Sequence, residues 1–304
     1  MKKKGSIPAL LIIGGPTASG KSALAEEIAM RKGFPIISAD SRQIYRGFDI
    51  GTAKPTPEVQ AKVRYEMIDI LDPQEQFSAG KFAERAAQLI QGKYKKERVI
   101  IISGGTGFYI SALMDGLAHI PKIRPDIQEK WNDLLELHGL EFLQSRVQAL
   151  DPKYHRSGDL NNTHRLLRAI KIADQTGQSI MDFTPTPILS REHQTGFFAI
   201  RHDRKMLYKR INDRVDQMIK LGLVEEVQRL LPYRDSPAMN TVGYKEIVPY
   251  LEGKTSLAEA VEKIKQYSRN YAKRQLTWLN RSDRWNWIDL DNPAPIEEWI
   301  RDHE

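Results

Sequence analysis

The sequence predicts an α/β fold: a parallel sheet of the P-loop NTPase-like kind, flanked by helices and carrying an all-helical insertion domain. Three observations predict it. Strand-like and helix-like segments alternate from Ala9 to Ile102, the signature of a parallel sheet with helices on both faces. The Gly-rich stretch Gly15-Pro16-Thr17-Ala18-Ser19-Gly20-Lys21-Ser22 joins the first strand to the first helix, the context a phosphate loop requires. From about Ala118 strand signals disappear and helical spacing takes over until Phe197.

Each element has its own reason. Ala9–Ile13 is a short continuous apolar run, hence a buried strand. Ser22–Arg31 has helical spacing and stops at Gly33. Pro35–Ala39 reads as a second strand and Glu66–Leu71 as a weaker one. Ser78–Gln91 reads as a helix ending at Gly92, and Arg98–Ile102 as a β-branched strand. Pro121 and Pro125 mark a linker. Helices are then expected over Ile127–Leu137, Leu140–Leu150 and Thr163–Thr176, the last ending at Gly177. Strand character returns only at Phe197–Ile200. Long helices follow at Arg204–Leu221 and Leu257–Leu279, with a last strand at Trp285–Leu290. The expected division is a core of 1–117 with 197–304, and a helical insertion of 118–196.

Composition sets bounds. The 304 residues are 40% hydrophobic and 28% charged, ordinary for a globular protein with room for two domains. Cysteine is absent, which excludes disulfides, thiolate nucleophiles and thiolate metal sites. Met1-Lys2-Lys3-Lys4 before apolar residues resembles a signal peptide, but the apolar run is too short and leads straight into the Gly-rich loop. No run is long enough to span a bilayer, so a cytoplasmic protein without membrane contact is expected. The net charge of +7 suits a nucleic-acid partner.

The phosphate loop implies a bound di- or triphosphate. Its backbone N–H groups point at phosphate oxygens and the helix start adds a positive dipole end. Lys21 supplies a point charge and Ser22 a hydroxyl for Mg²⁺. Two further polar clusters, Asp40-Ser41-Arg42-Gln43 and Ser103-Gly104-Gly105-Thr106, fall at the carboxyl ends of strands, where ligands of such sheets bind. Asp40 is either a loop-capping aspartate or a general base facing the phosphate loop. The strand Val99–Ile102 ends without the acid that holds Mg²⁺ in ordinary P-loop ATPases. That favours a transferase whose phosphate moiety leaves intact. Arg210 and Arg214 share a helical face beside Asp213 and Asp216. They are either solvated ion pairs or carry a lid residue that neutralises the leaving charge. Between Glu262 and Arg284 basic residues, Lys273 and Arg274 among them, interleave with Tyr267, Tyr271 and Trp278. The aromatics suit a helix core, or base stacking on a looped nucleic acid beside phosphate-neutralising cations. A second basic helix carries His164-Arg165-Leu166-Leu167-Arg168.

Taken together these segments resemble the tRNA dimethylallyltransferase family (tRNA isopentenyltransferases) of bacterial type, without the zinc-finger tail of some eukaryotic members. The resemblance rests on Gly15–Ser22, on Asp40-Ser41-Arg42-Gln43-Ile44-Tyr45 running into Ile50-Gly51-Thr52-Ala53-Lys54-Pro55, and on Gly104-Gly105-Thr106-Gly107-Phe108-Tyr109. It rests further on Arg165–Arg168, Val242-Gly243-Tyr244-Lys245 and Tyr271-Ala272-Lys273-Arg274-Gln275-Leu276-Thr277-Trp278. It implies transfer of a dimethylallyl group from its diphosphate to N6 of the adenosine 3′-adjacent to the anticodon. On that likeness Asp40 is the base, Gly15, Thr17, Ala18, Ser19, Gly20, Lys21 and Ser22 bind diphosphate, and Thr106 with Arg210 or Arg214 stabilises it. Mg²⁺ on Ser22 is the implied cofactor. Asp40–Gln43, Thr106, Gln128, His164–Arg168, Asn240-Thr241-Val242-Gly243-Tyr244-Lys245, Lys273 and Arg274 face the tRNA anticodon stem-loop. The helical insertion grips that stem, and a monomer is expected. His164 stands where the family commonly has Gln, and Gln128 where an Arg is often found, so both departures concern RNA contacts.

Three other functions compete with this reading. A prenyltransferase for free adenine nucleotides would leave the long insertion and the positive charge without use. A P-loop kinase or NTPase conflicts with the acid-free strand end. A non-catalytic RNA-binding protein leaves the Asp40 block unexplained.

Overall fold

The structure, a computed structural model, describes residues 7–190 and 192–304. The basic segment Met1–Lys4 lies outside them. The chain forms two compact units: the described residues up to Met114 together with Ile188–Glu304, and Asp115–Pro187.

In the first unit β1 (Ala9–Gly14), α1 (Lys21–Lys32), β2 (Ile36–Ser38), α2 (Pro57–Lys62), β3 (Tyr65–Glu66), α3 (Ala79–Gln88), β4 (Val99–Ser103) and α4 (Gly107–Met114) precede the second unit. The second unit holds β5 (Leu117–Ala118), α5 (Pro125–Leu150), α6 (Pro152–Ser157), α7 (Thr163–Thr176) and β6 (Pro185–Thr186). The first unit then resumes with β7 (Thr195–Arg201), α8 (Arg204–Lys220), α9 (Leu223–Leu230), α10 (Tyr244–Leu251), α11 (Leu257–Leu279), β8 (Asn286–Asp289) and α12 (Ala294–His303).

The main sheet has six strands in the order β3-β2-β4-β1-β7-β8, and every pairing is parallel. β1 and β4 lie inside it and are buried at every residue, which is why both read as unbroken apolar runs. The register pairs Ile13 with Ser103 and Ser38 with Ser103. The carboxyl ends of β1, β2 and β4 therefore lie level, and the loops after them converge. α1 is bounded by glycines in left-handed geometry, Gly20 (φ 95°) before it and Gly33 (φ 70°) after it, a conformation that costs glycine little. α11 opens with a capping box between Ser256 and Glu259.

The expected strand at Glu66–Leu71 ends early. Only Tyr65–Glu66 pairs with β2, because Met67 (φ 67°) and Asp69 (φ 52°) turn left-handed. The buried ammonium of Lys54 pairs with Asp69 and helps hold that turn. The helix from Ala79 does not stop before Gly92: a π-type turn carries Leu89–Lys93 onward. β5 and β6 form a two-residue antiparallel ladder in a stretch expected to lack strands, too short to leave a period-two pattern in the sequence.

In the second unit Gly139 (φ 74°, ψ −170°) splits α5 into two helices. Trp131, Leu143, Val147, Tyr154, Leu166 and Ile170 form its core. It runs Asp115–Pro187 against the expected 118–196, and Thr195 and Gly196 of that expected range belong to β7 of the main sheet.

Candidate active site

A cavity of about 390 Å³ opens at the carboxyl ends of β1, β2 and β4. The phosphate loop forms one wall. The loop curls because Gly15 (φ 153°), Ala18 (φ 61°) and Gly20 (φ 95°) are left-handed. A Cβ on Gly15 would lie 2.6 Å from Ser19 Oγ. The loop closes on itself through Ser19 N–H to Pro16 O (3.2 Å) and Lys21 Nζ to Pro16 O (3.3 Å).

Three side chains from distant elements brace this loop. Arg210 Nε donates to Ala18 O at 2.9 Å. His202 Nε2 lies 2.6 Å from Ser19 O, so that nitrogen carries the proton. Gln275 on α11 accepts the Thr17 N–H at 2.7 Å and donates from Nε2 to Gly105 O at 2.8 Å. A backbone donor and a backbone acceptor fix the orientation of that amide. Gln275 thereby ties the phosphate loop to the turn after β4.

Asp40 follows β2 and faces the phosphate loop across the cavity. Its Oδ1 accepts from Arg42 N–H (2.8 Å) and Gln43 N–H (3.4 Å), so the capping role open in the sequence is real. Its position in the cavity leaves the second role available. Thr106 stands behind this turn: its N–H donates to Ala39 O at 3.1 Å and its Oγ1 accepts the Ser41 N–H at 3.0 Å. Gly104 allows the close crossing, since a Cβ there would come 2.1 Å from Ala39 O.

The charges in the cavity are unbalanced. Lys21, Arg42, Arg214, Lys245 and Arg274 line it, with Asp40 as the one carboxylate. Burial lowers the Lys21 ammonium to about 8, Asp40 opposing and Arg214 adding to the shift. Burial also lowers Arg214, again against the pull of Asp40. Partly desolvated cations of this kind are stabilised by an arriving anion. Arg214 lines the cavity and Arg210 does not, which separates two residues the sequence left equivalent.

Three polar groups that the sequence named only as members of clusters, with no site role of their own, also stand here. The Tyr271 phenol is pushed up to about 12 by burial first and by the Asp40 charge next, so it remains a donor. Ser103 ends β4, where an acid would stand in an ordinary P-loop ATPase. Its Oγ is buried without a partner among the described residues. Gln275 is 7% exposed, and a glutamine on the buried side of a helix with Tyr271 and Trp278 was the available signal.

The segments expected to meet RNA divide by burial. Gln128, His164, Arg165, Arg168, Asn240, Lys245, Lys273 and Arg274 are exposed. The Lys245 ammonium lies 5.6 Å from the Tyr267 ring centre, and the Arg274 guanidinium 5.6 Å from that of Tyr271. Leu166 lies wholly within the core of the second unit, with Leu167 packed against it. Val242 is half-buried, Gly243 is buried, Tyr244 is fully buried, and Thr241 Oγ1 donates to Ala238 O at 2.5 Å. Gln43 spends its amide on Ser38, Thr52 and Ala53. These side chains shape the framework that presents the exposed ones.

Comparison with known proteins identifies the family. The sequence profile described as IPP transferase matches residues 43–282. A tRNA dimethylallyltransferase of Chlorobium phaeovibrioides is 43% identical over 95% of this chain and 94% of its own length. That of Christiangramia forsetii is 38% identical over 96% and 97%. Among solved structures, the tRNA isopentenylpyrophosphate transferase of Bacillus halodurans is 35% identical, covers 97% of this chain and 94% of its own, and superposes with a TM-score of 0.69. A eukaryotic dimethylallyltransferase described as acting on tRNA shares the fold, with a TM-score of 0.81 at 22% identity over 98% of this chain and 80% of its own. The chain belongs to the IPP transferase family.

Proposed function

We propose that this chain transfers a dimethylallyl group from dimethylallyl diphosphate to N6 of the adenosine 3′-adjacent to the anticodon of a tRNA, releasing diphosphate. One observation carries the reading: a single carboxylate, Asp40, shares a cavity with the buried Lys21 and the half-buried Arg214, both partly desolvated there. Adenine N6 is a weak nucleophile, because its lone pair is delocalised into the ring. The allylic carbon is reactive, because positive charge spreads over its double bond. As the N–C bond forms, the C–O bond breaks and its electron pair leaves with the diphosphate. The loop amides, Lys21 and Arg214 stabilise that charge, and Asp40 takes the N6 proton.

Ser22, on the first turn of α1, lines the cavity. Among the described residues no group of three or more His, Cys, Asp or Glu side chains could hold a metal unaided. A hydroxyl together with the oxygens of a bound diphosphate is an all-oxygen donor set of the kind Mg²⁺ takes. When bound, Mg²⁺ would add positive charge against the departing diphosphate.

The exposed cations of α11, with Asn240 and Lys245, suit the anticodon loop. His164, Arg165, Arg168 and Gln128 of the second unit suit the stem. The adenine has to leave its stack, which costs a few kcal/mol and is offset by phosphate contacts along the RNA. No helix among the described residues is long and apolar enough to cross a membrane, and we assign a monomer working in the cytoplasm, where tRNA is available.

The test is mass spectrometry of nucleosides after incubation with dimethylallyl diphosphate and unmodified tRNA. A dimethylallyl adduct on adenosine from the tRNA is expected. An adduct on free adenine nucleotides with none in the tRNA would overturn the assignment.

The Lys21 shift adds a pH prediction. Its charged form prevails below pH 8 in the free protein and is the form that binds phosphate. Affinity for inorganic diphosphate is therefore expected to fall as pH rises through about 8. Between pH 8 and 9 binding should take up protons, because the bound anion raises the pKa of the ammonium. Calorimetry in two buffers of different ionisation enthalpy reads both effects.

A further inference from the structure

Glu226 on α9 is 2% exposed and lies far in sequence from the residues it holds. Its two carboxylate oxygens accept three consecutive backbone N–H groups: Asp49 at 3.2 Å, Ile50 at 2.9 Å and Gly51 at 3.2 Å. Tyr244 donates its hydroxyl to Glu226 Oε1 at 2.6 Å. Burial and the Glu226 charge both push the Tyr244 phenol up, so that hydroxyl stays a donor. A buried carboxylate is tolerated when charge-assisted hydrogen bonds satisfy it, and here four neutral donors do so.

The loop held in this way is strained and closely packed. Ala53 adopts φ 47°, and a Cβ on Gly51 would come 2.4 Å from the Tyr244 ring. Such conformations persist where the surroundings over-determine them. The loop leads on to the catalytic side of the cavity. Gln43 Nε2 donates to Thr52 O (3.4 Å) and Ala53 O (3.1 Å), while its Oε1 accepts from Ser38 Oγ at 3.0 Å. Gln43 N–H in turn donates to Asp40 Oδ1 at 3.4 Å. A continuous path therefore runs from Glu226 through the 49–53 loop and Gln43 to Asp40, without touching the phosphate loop.

We propose that Glu226 is a positioning residue that fixes the place of the Asp40 carboxylate through the 49–53 loop and Gln43. The inference rests on the reading of Asp40 as the base. It predicts a fault confined to the proton-accepting side. Diphosphate held by the phosphate loop would be unaffected, whereas a base displaced by about 1 Å loses on the order of 10²-fold in rate.

A double-mutant cycle tests it. Glu226→Gln keeps the shape but places an NH₂ group among four donors. Turnover with saturating substrates is expected to fall about 30-fold, with the Kd for inorganic diphosphate within about 3-fold of the wild type. In an Asp40→Asn background the same change is expected to lower the remaining turnover by less than about 3-fold, since the group it positions is already gone. An equal factor in both backgrounds, or diphosphate affinity falling in step with turnover, would mean a general structural role and overturn the inference. Full turnover by Asp40→Asn alone would remove both this inference and the assignment of the base. The slow Asp40→Asn enzyme with equal Glu226→Gln factors would remove the inference only. If Glu226→Gln does not fold, Tyr244→Phe removes one donor and leaves the loop amides bound. A fall of about 3–10-fold in the wild-type background alone is then expected, and unchanged turnover would overturn the proposal.

Discussion

Asp40→Asn is expected to lower turnover by about 10²–10⁴-fold while diphosphate binding at pH 7 becomes no weaker. The substitution separates the two roles of the residue. An asparagine Oδ1 still accepts from Arg42 N–H and Gln43 N–H, as the carboxylate does now, so the turn keeps its cap. What is lost is a group able to receive a proton. The amide also removes the one negative side chain from a cavity lined by five cations, which favours an arriving anion. Single-turnover kinetics with pre-bound tRNA would read the chemical step, and calorimetry with inorganic diphosphate would read the anion site. Turnover within a few-fold of the wild type would show that the proton leaves by another route, with Asp40 reduced to a cap.

Much of this site is legible in the sequence because its chemistry needs rare backbone. A phosphate loop requires glycines at set intervals between a buried strand and a helix, and Gly15 and Gly20 stand there in left-handed geometry. The strands β1 and β4 are equally plain, since burial on both faces forces continuous apolar runs. What the sequence hides is held by single long-range bonds. Gln275 reaches Thr17 and Gly105 from α11, and no local pattern marks one glutamine on a basic helix as a bridge. Arg210 and Arg214 stand one turn apart on α8, yet one bonds the Ala18 carbonyl of the loop and the other lines the cavity. A difference of that kind depends on where α8 lies against the sheet. α10 escaped notice for another reason: it carries Pro249 inside eight residues, a composition that reads as a break. The early end of β3 depends on left-handed Met67 and Asp69, residue types that do not announce such a turn as glycine does.

The two arginines supply the second large effect. Arg214→Ala is expected to cut kcat/KM for the allylic donor by about 10²–10³-fold, and Arg210→Ala by less than about 10-fold. Arg214 is a half-buried cation that lines the cavity, with the Asp40 charge favouring its protonated form and Lys21 as a cationic neighbour, so its charge is placed to meet a ligand. Its truncation removes a preorganised charge from a site where water cannot replace it at low cost. Arg210 instead donates to the Ala18 carbonyl at 2.9 Å and does not line the cavity. Its loss removes one hydrogen bond, worth about 1 kcal/mol, from a loop that His202 and Gln275 continue to brace. The asymmetry itself is the test, because both residues lie on one helix, carry the same charge and change the net charge equally. Equal losses would mean that the loop responds to the field of α8 as a whole. A larger loss at Arg210 would place the leaving-group contact on Arg210 and remove Arg214 from the chemistry.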